Sequence, residues 1–151
     1  MLGAVAHIGI TVRDMEKALA FYQGVLGMEK LGDATFAGPE AARLTRIPGT
    51  VLRAVYLRGG AGIKGPPLEL LHFVEPGTAS ADPYARLNNP GITEVAFTVD
   101  DIDRIYIELT AKGVEFYSPP QLFELGGYKA KAVYFYDPDG TTLELIQNVR
   151  D

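Results

Sequence analysis

The chain contains no cysteine, which excludes disulfide staples, thiolate metal sites and cysteine nucleophiles at once. It also lacks an apolar run approaching the ~20 residues that a membrane-crossing helix needs. Basic residues are outnumbered, 14 against 19 acidic, for a net charge of −5. A nucleic-acid partner needs the reverse, a clustered excess of Lys and Arg over the phosphates. The opening residues show no basic segment followed by an apolar stretch and a cleavage site, so the expectation is a cytoplasmic protein without a membrane or nucleic-acid partner. Histidine is scarce as well, with only His7 and His72.

What is present is a repeat. The segments His7-Ile8-Gly9-Ile10-Thr11-Val12-Arg13-Asp14 and Glu94-Val95-Ala96-Phe97-Thr98-Val99-Asp100-Asp101 align residue for residue. A strand sends successive side chains to opposite faces. Ile8, Ile10 and Val12 therefore share one face and His7, Gly9 and Thr11 the other; Val95, Phe97 and Val99 likewise oppose Glu94, Ala96 and Thr98. Each copy thus starts its polar face with an ionisable group.

A helix is expected after each opening strand. Asp14 and Asp101 are placed to cap the first turns. Met15, Ala18, Leu19, Tyr22 and Leu26 fall on one helical face before Gly27, and Ile102, Ile105, Tyr106 and Leu109 do so before Gly113. Short strands are expected at 28–31 and 114–117. The halves then diverge. In the first, an insertion at 33–50 holds a short helix at 39–45 and leads to strands at 51–58 and 67–74. In the second, Pro119-Pro120 and the turn residues Gly126-Gly127 precede strands at 129–136 and 141–149, joined by the turn Asp137-Pro138-Asp139-Gly140. No helix follows Gly126-Gly127, so that pair is not a phosphate loop. The organisation is a first β-α-β-β-β module at 1–75, a Pro-, Gly-, Ser- and Asn-containing linker at 76–90 and a second module at 91–151. A chain of this length buries about 70% of its unfolded surface, enough for a substantial core.

The last strand of each half repeats a further pattern, Leu68-Glu69-Leu70 and Leu143-Glu144-Leu145. Alternation turns the leucines toward the helices and Glu69 and Glu144 toward the other face. A lone Glu on such a strand is ordinarily just solvated. Four ionisable residues at repeat-equivalent positions, His7, Glu69, Glu94 and Glu144, point instead to a shared metal or acid–base site. Three carboxylates gathered without a cation repel and take up protons, and a divalent metal relieves that cost most simply.

The paired modules, the His-x-x-x-x-Val-x-Asp opening, the Leu-Glu-Leu strands and the Asp-Pro-Asp-Gly-x-x-Leu-Glu-Leu ending resemble the vicinal oxygen chelate superfamily, to which glyoxalases, bleomycin resistance proteins and extradiol dioxygenases belong. The resemblance spans the chain. It implies an α+β fold of two tandem βαβββ modules forming a curved, barrel-like mixed sheet around a cavity, and a homodimer, with the modules pairing either within a chain or across it. It further implies that His7, Glu69, Glu94 and Glu144 hold a divalent metal that chelates vicinal oxygens of a small substrate. Glu94 departs from the superfamily pattern, which usually has His there. The resulting His/Glu/Glu/Glu set is hard and anionic, suited to Ni, Zn, Mn, Co, Fe or Mg, and leaves Glu94 open as either ligand or base.

Among the activities of that superfamily, a glyoxalase-like lyase or isomerase fits the Glu69 and Glu144 pair best, with proton abstraction beside a metal-held carbonyl and Glu144, Glu69 or Glu94 as base. An extradiol dioxygenase uses two histidines and one carboxylate, which Glu94 breaks, although Tyr134 stands ten residues before Glu144 as the active-site tyrosine of those enzymes does. An epimerase acting on methylmalonyl-CoA carries a carboxylate base where this chain has Arg53. The competing class is a metal-free protein that sequesters an antibiotic or another aromatic compound. Tyr56, Phe73, Tyr134 and Tyr136 are candidates for the pocket wall, with Phe36, Leu44, Phe123 and Leu125 near its mouth. Aromatics at such positions also serve as plain core packing. Arg53 is either a surface charge or a clamp for a substrate carboxylate.

Overall fold

The computed structural model describes residues 3–60, 63–79, 87–88, 90–125 and 128–149, and of Leu125 and Tyr128 the backbone only. The expected turn at Gly126-Gly127 and much of the expected linker lie outside the described residues. The chain divides into two compact units, Met1–Ser80 and Ala81–Asp151.

The first unit runs β1 (Ile8–Thr11), α1 (Met15–Leu19) continued by a π-helical turn (Ala20–Val25), β2 (Glu29–Ala37), α2 (Pro39–Thr45), β3 (Val51–Arg58) and β4 (Leu68–Glu75). The second runs β5 (Val95–Thr98), α3 (Ile102–Ala111), β6 (Gln121–Leu125), β7 (Tyr128–Tyr136) and β8 (Thr142–Val149). Both sheets have one topology, β1-β4-β3-β2 and β5-β8-β7-β6, with the opening strand parallel to the last and the other neighbours antiparallel. The protein is thus α+β, as expected of the paired modules, with one four-stranded mixed sheet in each unit among the described residues.

The caps act as expected. Asp14 accepts from the backbone N–H of Glu16 and Lys17 at 3.0 and 3.1 Å, and Asp101 from that of Arg104 at 3.0 Å. Each satisfies N–H groups that a helix start leaves without a partner. Gly27 and Gly113 end the helical segments with φ of 72° and 84°, a left-handed conformation that costs a glycine little. The first helix departs from a regular α-helix at Ala20, where bonds such as Leu26 N–H to Phe21 C=O, 2.9 Å, widen the winding. Phe21 and Tyr22 are consecutive yet both buried, their rings edge to face at 5.3 Å. A regular helix separates such neighbours by about 100°, and the wider turn lessens that separation.

Two strand expectations needed correction. Strand β2 was expected only over 28–31, but it continues through Asp33 to Ala37 and pairs with β3 along its length, with a register shift between Lys30 and Gly32. Gly32, Asp33 and Ala34 look like a loop by composition; cross-strand pairing overrides that local preference. In the second unit, 114–117 is not a strand. It contributes only the isolated bridge Phe116–Phe135, and β6 at 121–125 takes the edge of the sheet instead. Pro119-Pro120 separates the two segments, since proline has no N–H to give a ladder.

The apolar faces lie where alternation put them. Leu68 and Leu70, with Val12, Met15 and Tyr22, are buried in the first unit, and Leu143 and Leu145, with Ile102 and Phe135, in the second. In the turn at Asp137, the buried carboxylate accepts from the N–H of Asp139 and Thr141 at 2.9 and 2.8 Å, and Gly140 adopts φ 86°. That turn fixes the register that sets Glu144 opposite Tyr134.

Candidate functional site

In the first unit Glu69 lies on β4 between Gly9 of β1 and Tyr56 of β3. His7 stands two residues before Gly9, so alternation places His7, Glu69 and Tyr56 on one face of the sheet. The Tyr56 hydroxyl donates to Glu69 Oε1. The other oxygen, Oε2, lies 3.1 Å from His7 Nε2, and the imidazole meets the Tyr56 ring edge to face at 6.0 Å. Glu69 is buried, whereas the His7 side chain is 46% exposed. The Tyr56 hydroxyl has its pKa raised, first by this hydrogen bond, then by burial and by the Glu69 charge. Ionisation would lose the bond and set two anions face to face.

The second unit repeats the placement with different contacts. Glu144 lies on β8 between Ala96 of β5 and Tyr134 of β7, and Glu94 precedes Ala96 on the same alternation. Among the described residues Glu144 accepts no hydrogen bond. Its pKa is raised by burial and then by the charge of Glu94. Burial likewise raises Tyr134, followed by the charges of Glu144 and Glu94. The two carboxylates thus sense each other, and Tyr134 does not clamp Glu144 as Tyr56 clamps Glu69.

Tyr134 and Tyr136 both belong to the Glu144 face by register, and Tyr117 joins them. Its ring lies 4.5 Å from Tyr136 and 5.8 Å from Tyr134, and its hydroxyl lies 2.8 Å from Thr142 Oγ1. Neither Tyr117 nor Thr142 carries a sequence signal of a site, since each sits in a segment that reads as an ordinary strand. Phe73 alternates onto the Glu69 face and is half-buried. Phe36 and Phe123 fall on the carboxylate faces of their own sheets, 48% and 50% exposed, and Leu44 is exposed on α2. His72 alternates with Leu70, on the face away from Glu69.

Arg53 is placed apart from this group. It lies on the sheet face opposite Tyr56 and spends its guanidinium on two carboxylates: Asp33, through Nε at 3.0 Å and Nη2 at 2.8 Å, and Glu16 of α1, through Nη1 at 2.7 Å. This fork ties α1 to β2 and β3. Arg53 holds Asp33 down to about 2 from an ordinary 3.8, with Lys30 adding to the effect. Because the folded-state value is depressed, the stabilisation is complete above pH 3.8 and lost as the pH falls through about 2. Solvent screening limits it to about 1 kcal/mol. Urea midpoints of wild type and Asp33→Asn should differ at pH 5 and converge near pH 2; a gap unchanged over that range would contradict this role.

No group of three or more His, Asp or Glu able to hold a metal ion occurs among the described residues. What each unit shows is a pair, imidazole with carboxylate in the first and two carboxylates in the second.

The family model for the Glyoxalase/Bleomycin resistance protein/Dioxygenase superfamily matches residues 4–145. The chain belongs to that superfamily. A relative in Bacillus subtilis, the uncharacterized protein YwkD, is 31% identical over 147 residues, covering 97% of this chain and 98% of its own. A glyoxalase family protein from Bacillus cereus shares the fold with a TM-score of 0.83 at 23% identity, over 99% of this chain and 97% of its own. A superfamily member from Sphaerobacter thermophilus matches with a TM-score of 0.66 at 28% identity, over 97% and 98%. No helix among the described residues is long and apolar enough to cross a membrane.

Proposed function

We propose that this superfamily member is a divalent-metal-dependent lyase or isomerase of the glyoxalase kind, acting on a small, partly hydrophobic carbonyl compound. His7, Glu69, Glu94 and Glu144 are its metal ligands and Glu144 its base. The donor chemistry fits such an ion: an imidazole and a buried carboxylate in the first unit, and in the second two carboxylates whose mutual charge helps raise the Glu144 pKa. A cation held there supplies Lewis acidity toward the carbonyl oxygen, where negative charge develops.

The observation that carries the reading is the difference between the two repeat-equivalent glutamates. Glu69 has one oxygen engaged by Tyr56 and the other facing His7, the arrangement of a fixed ligand. Glu144 accepts no hydrogen bond among the described residues, although Tyr134 is its register partner. A base needs that freedom to turn from a cation toward a C–H bond. Glu144 takes the proton from the carbon beside the carbonyl, the electron pair of the C–H bond moves toward the carbonyl oxygen, and the protonated Glu144 returns the proton to carbon. Tyr117, Tyr134 and Tyr136 offer ring surface to the apolar part of the substrate. By superfamily habit the protein works as a dimer.

In deuterated solvent, turnover should place deuterium on the carbon that accepts the returned proton, read by mass spectrometry of the product. The tyrosine cluster also favours a second reading, a binding protein that sequesters an aromatic compound; tight binding without conversion or exchange would select it. Conversion with oxygen consumed and no exchange would select dioxygenase chemistry, with Tyr134 as the acid or base.

A further inference from the structure

We infer that Tyr56 is a positioning residue for the metal site: its hydroxyl holds Glu69 Oε1 so that only Oε2, paired with His7 Nε2, is presented to a cation. The inference rests on the proposed metal reading and extends it to a residue that ligates nothing. The geometry lies wholly in the first unit. Glu69 has two oxygens with separate partners, the Tyr56 hydroxyl on Oε1 and the imidazole nitrogen at 3.1 Å on Oε2.

The register makes the arrangement specific. Tyr56 and Glu69 are direct partners across β3 and β4, so the phenol arm lies along the carboxylate from a neighbouring strand. The edge-to-face contact of His7 with the same ring, 6.0 Å between centroids, lets one side chain orient both halves of the donor pair. A carboxylate with one oxygen committed to a hydrogen bond is kept from chelating through both. It also has less rotational freedom to give up when a cation binds, which is how hydrogen-bonded partners of metal ligands raise affinity. The second unit supplies the comparison. Tyr134 and Glu144 are register partners in the same way, yet no hydrogen bond joins them, so the clamp belongs to one half of the repeat only.

The test is calorimetric titration of the metal-stripped full chain with Mn(II) and Co(II), for wild type, Tyr56→Phe and Tyr134→Phe. Removing the Tyr56 hydroxyl should weaken the Kd roughly 10–100-fold and shift the visible absorption of bound Co(II) as the carboxylate changes its mode of ligation. Tyr134→Phe should leave the Kd within about twofold, there being no such bond to lose. Equal Kd and Co(II) spectra for wild type and Tyr56→Phe, or equal weakening by both variants, overturns the role of Tyr56 while leaving the metal reading intact. A wild type that takes up neither metal overturns both. Should Tyr56→Phe fail to fold, the wild type decides: the Tyr56 hydroxyl proton should give an exchange-protected downfield NMR signal in the metal-free chain, and its absence counts against the clamp.

Discussion

Replacing Glu144 by Gln should lower turnover by roughly 10²–10⁴ while leaving the fold intact. The substitution keeps the shape of the side chain and one carbonyl oxygen, so the packing of β8 between β5 and β7 is preserved. What it removes is an anionic ligand and a carboxylate able to receive a proton from carbon, so some metal affinity is lost too, but excess metal should not restore the rate. The loss should fall on kcat and kcat/KM together, because the interaction is made in the transition state rather than in the bound ground state. Glu69→Gln should act differently. Its carboxylate is engaged on both oxygens, so the main loss should be in metal affinity, and excess metal should recover much of the rate. Steady-state kinetics with and without added metal separate the two variants. Equal behaviour of both, or a Glu144→Gln enzyme within threefold of wild type, would remove Glu144 from the role of base.

Saturation with a divalent cation should raise the melting temperature by about 5–10 °C. At a hundred times Kd a ligand specific for the folded state adds about 2.7 kcal/mol, and for a chain of about 150 residues each kcal/mol moves Tm by about 2–4 °C. The gain should also grow with pH. In the metal-free chain burial and Glu94 raise the Glu144 pKa above its ordinary 4.5, so the folded state holds a proton that the unfolded state has released. The metal-free chain therefore loses stability as the pH rises from 4.5 through the folded-state value. A cation that neutralises the pair reverses that loss. Thermal melts at pH 5 and pH 7.5, with and without metal, measure both effects. A Tm shift that shrinks with rising pH would contradict the pairing of Glu94 with Glu144.

Much of this was legible in the residues because strand alternation is strict. The Leu-Glu-Leu segments placed Leu70 and Leu143 in the cores and Glu69 and Glu144 on the opposite faces, and Asp14 and Asp101 marked where each helix begins. Less legible was whatever depends on residues far apart in sequence. Arg53 had the composition of a substrate clamp, but its partners Asp33 and Glu16 lie 20 and 37 residues away, and no periodicity links them. Tyr117 was hidden for the same reason: its backbone N–H donates to Tyr134 C=O, and that short bridge to β7, later in the chain, sets its ring against Tyr136. The clamp of Tyr56 on Glu69, and the freedom of Glu144 beside Tyr134, could not be told apart from sequence, since both pairs are one tyrosine and one glutamate on adjacent strands.

The central claim, that His7, Glu69, Glu94 and Glu144 are ligands of a divalent cation, is tested most directly by counting metal. Protein stripped of metal and then titrated with Ni(II), Zn(II) or Mn(II) should bind one equivalent per chain by calorimetry and elemental analysis. Each of His7→Ala, Glu69→Ala, Glu94→Ala and Glu144→Ala should lower that affinity by at least tenfold with the fold retained. Stoichiometric binding that survives all four substitutions, or a correctly folded wild type that binds none of these ions, would contradict it.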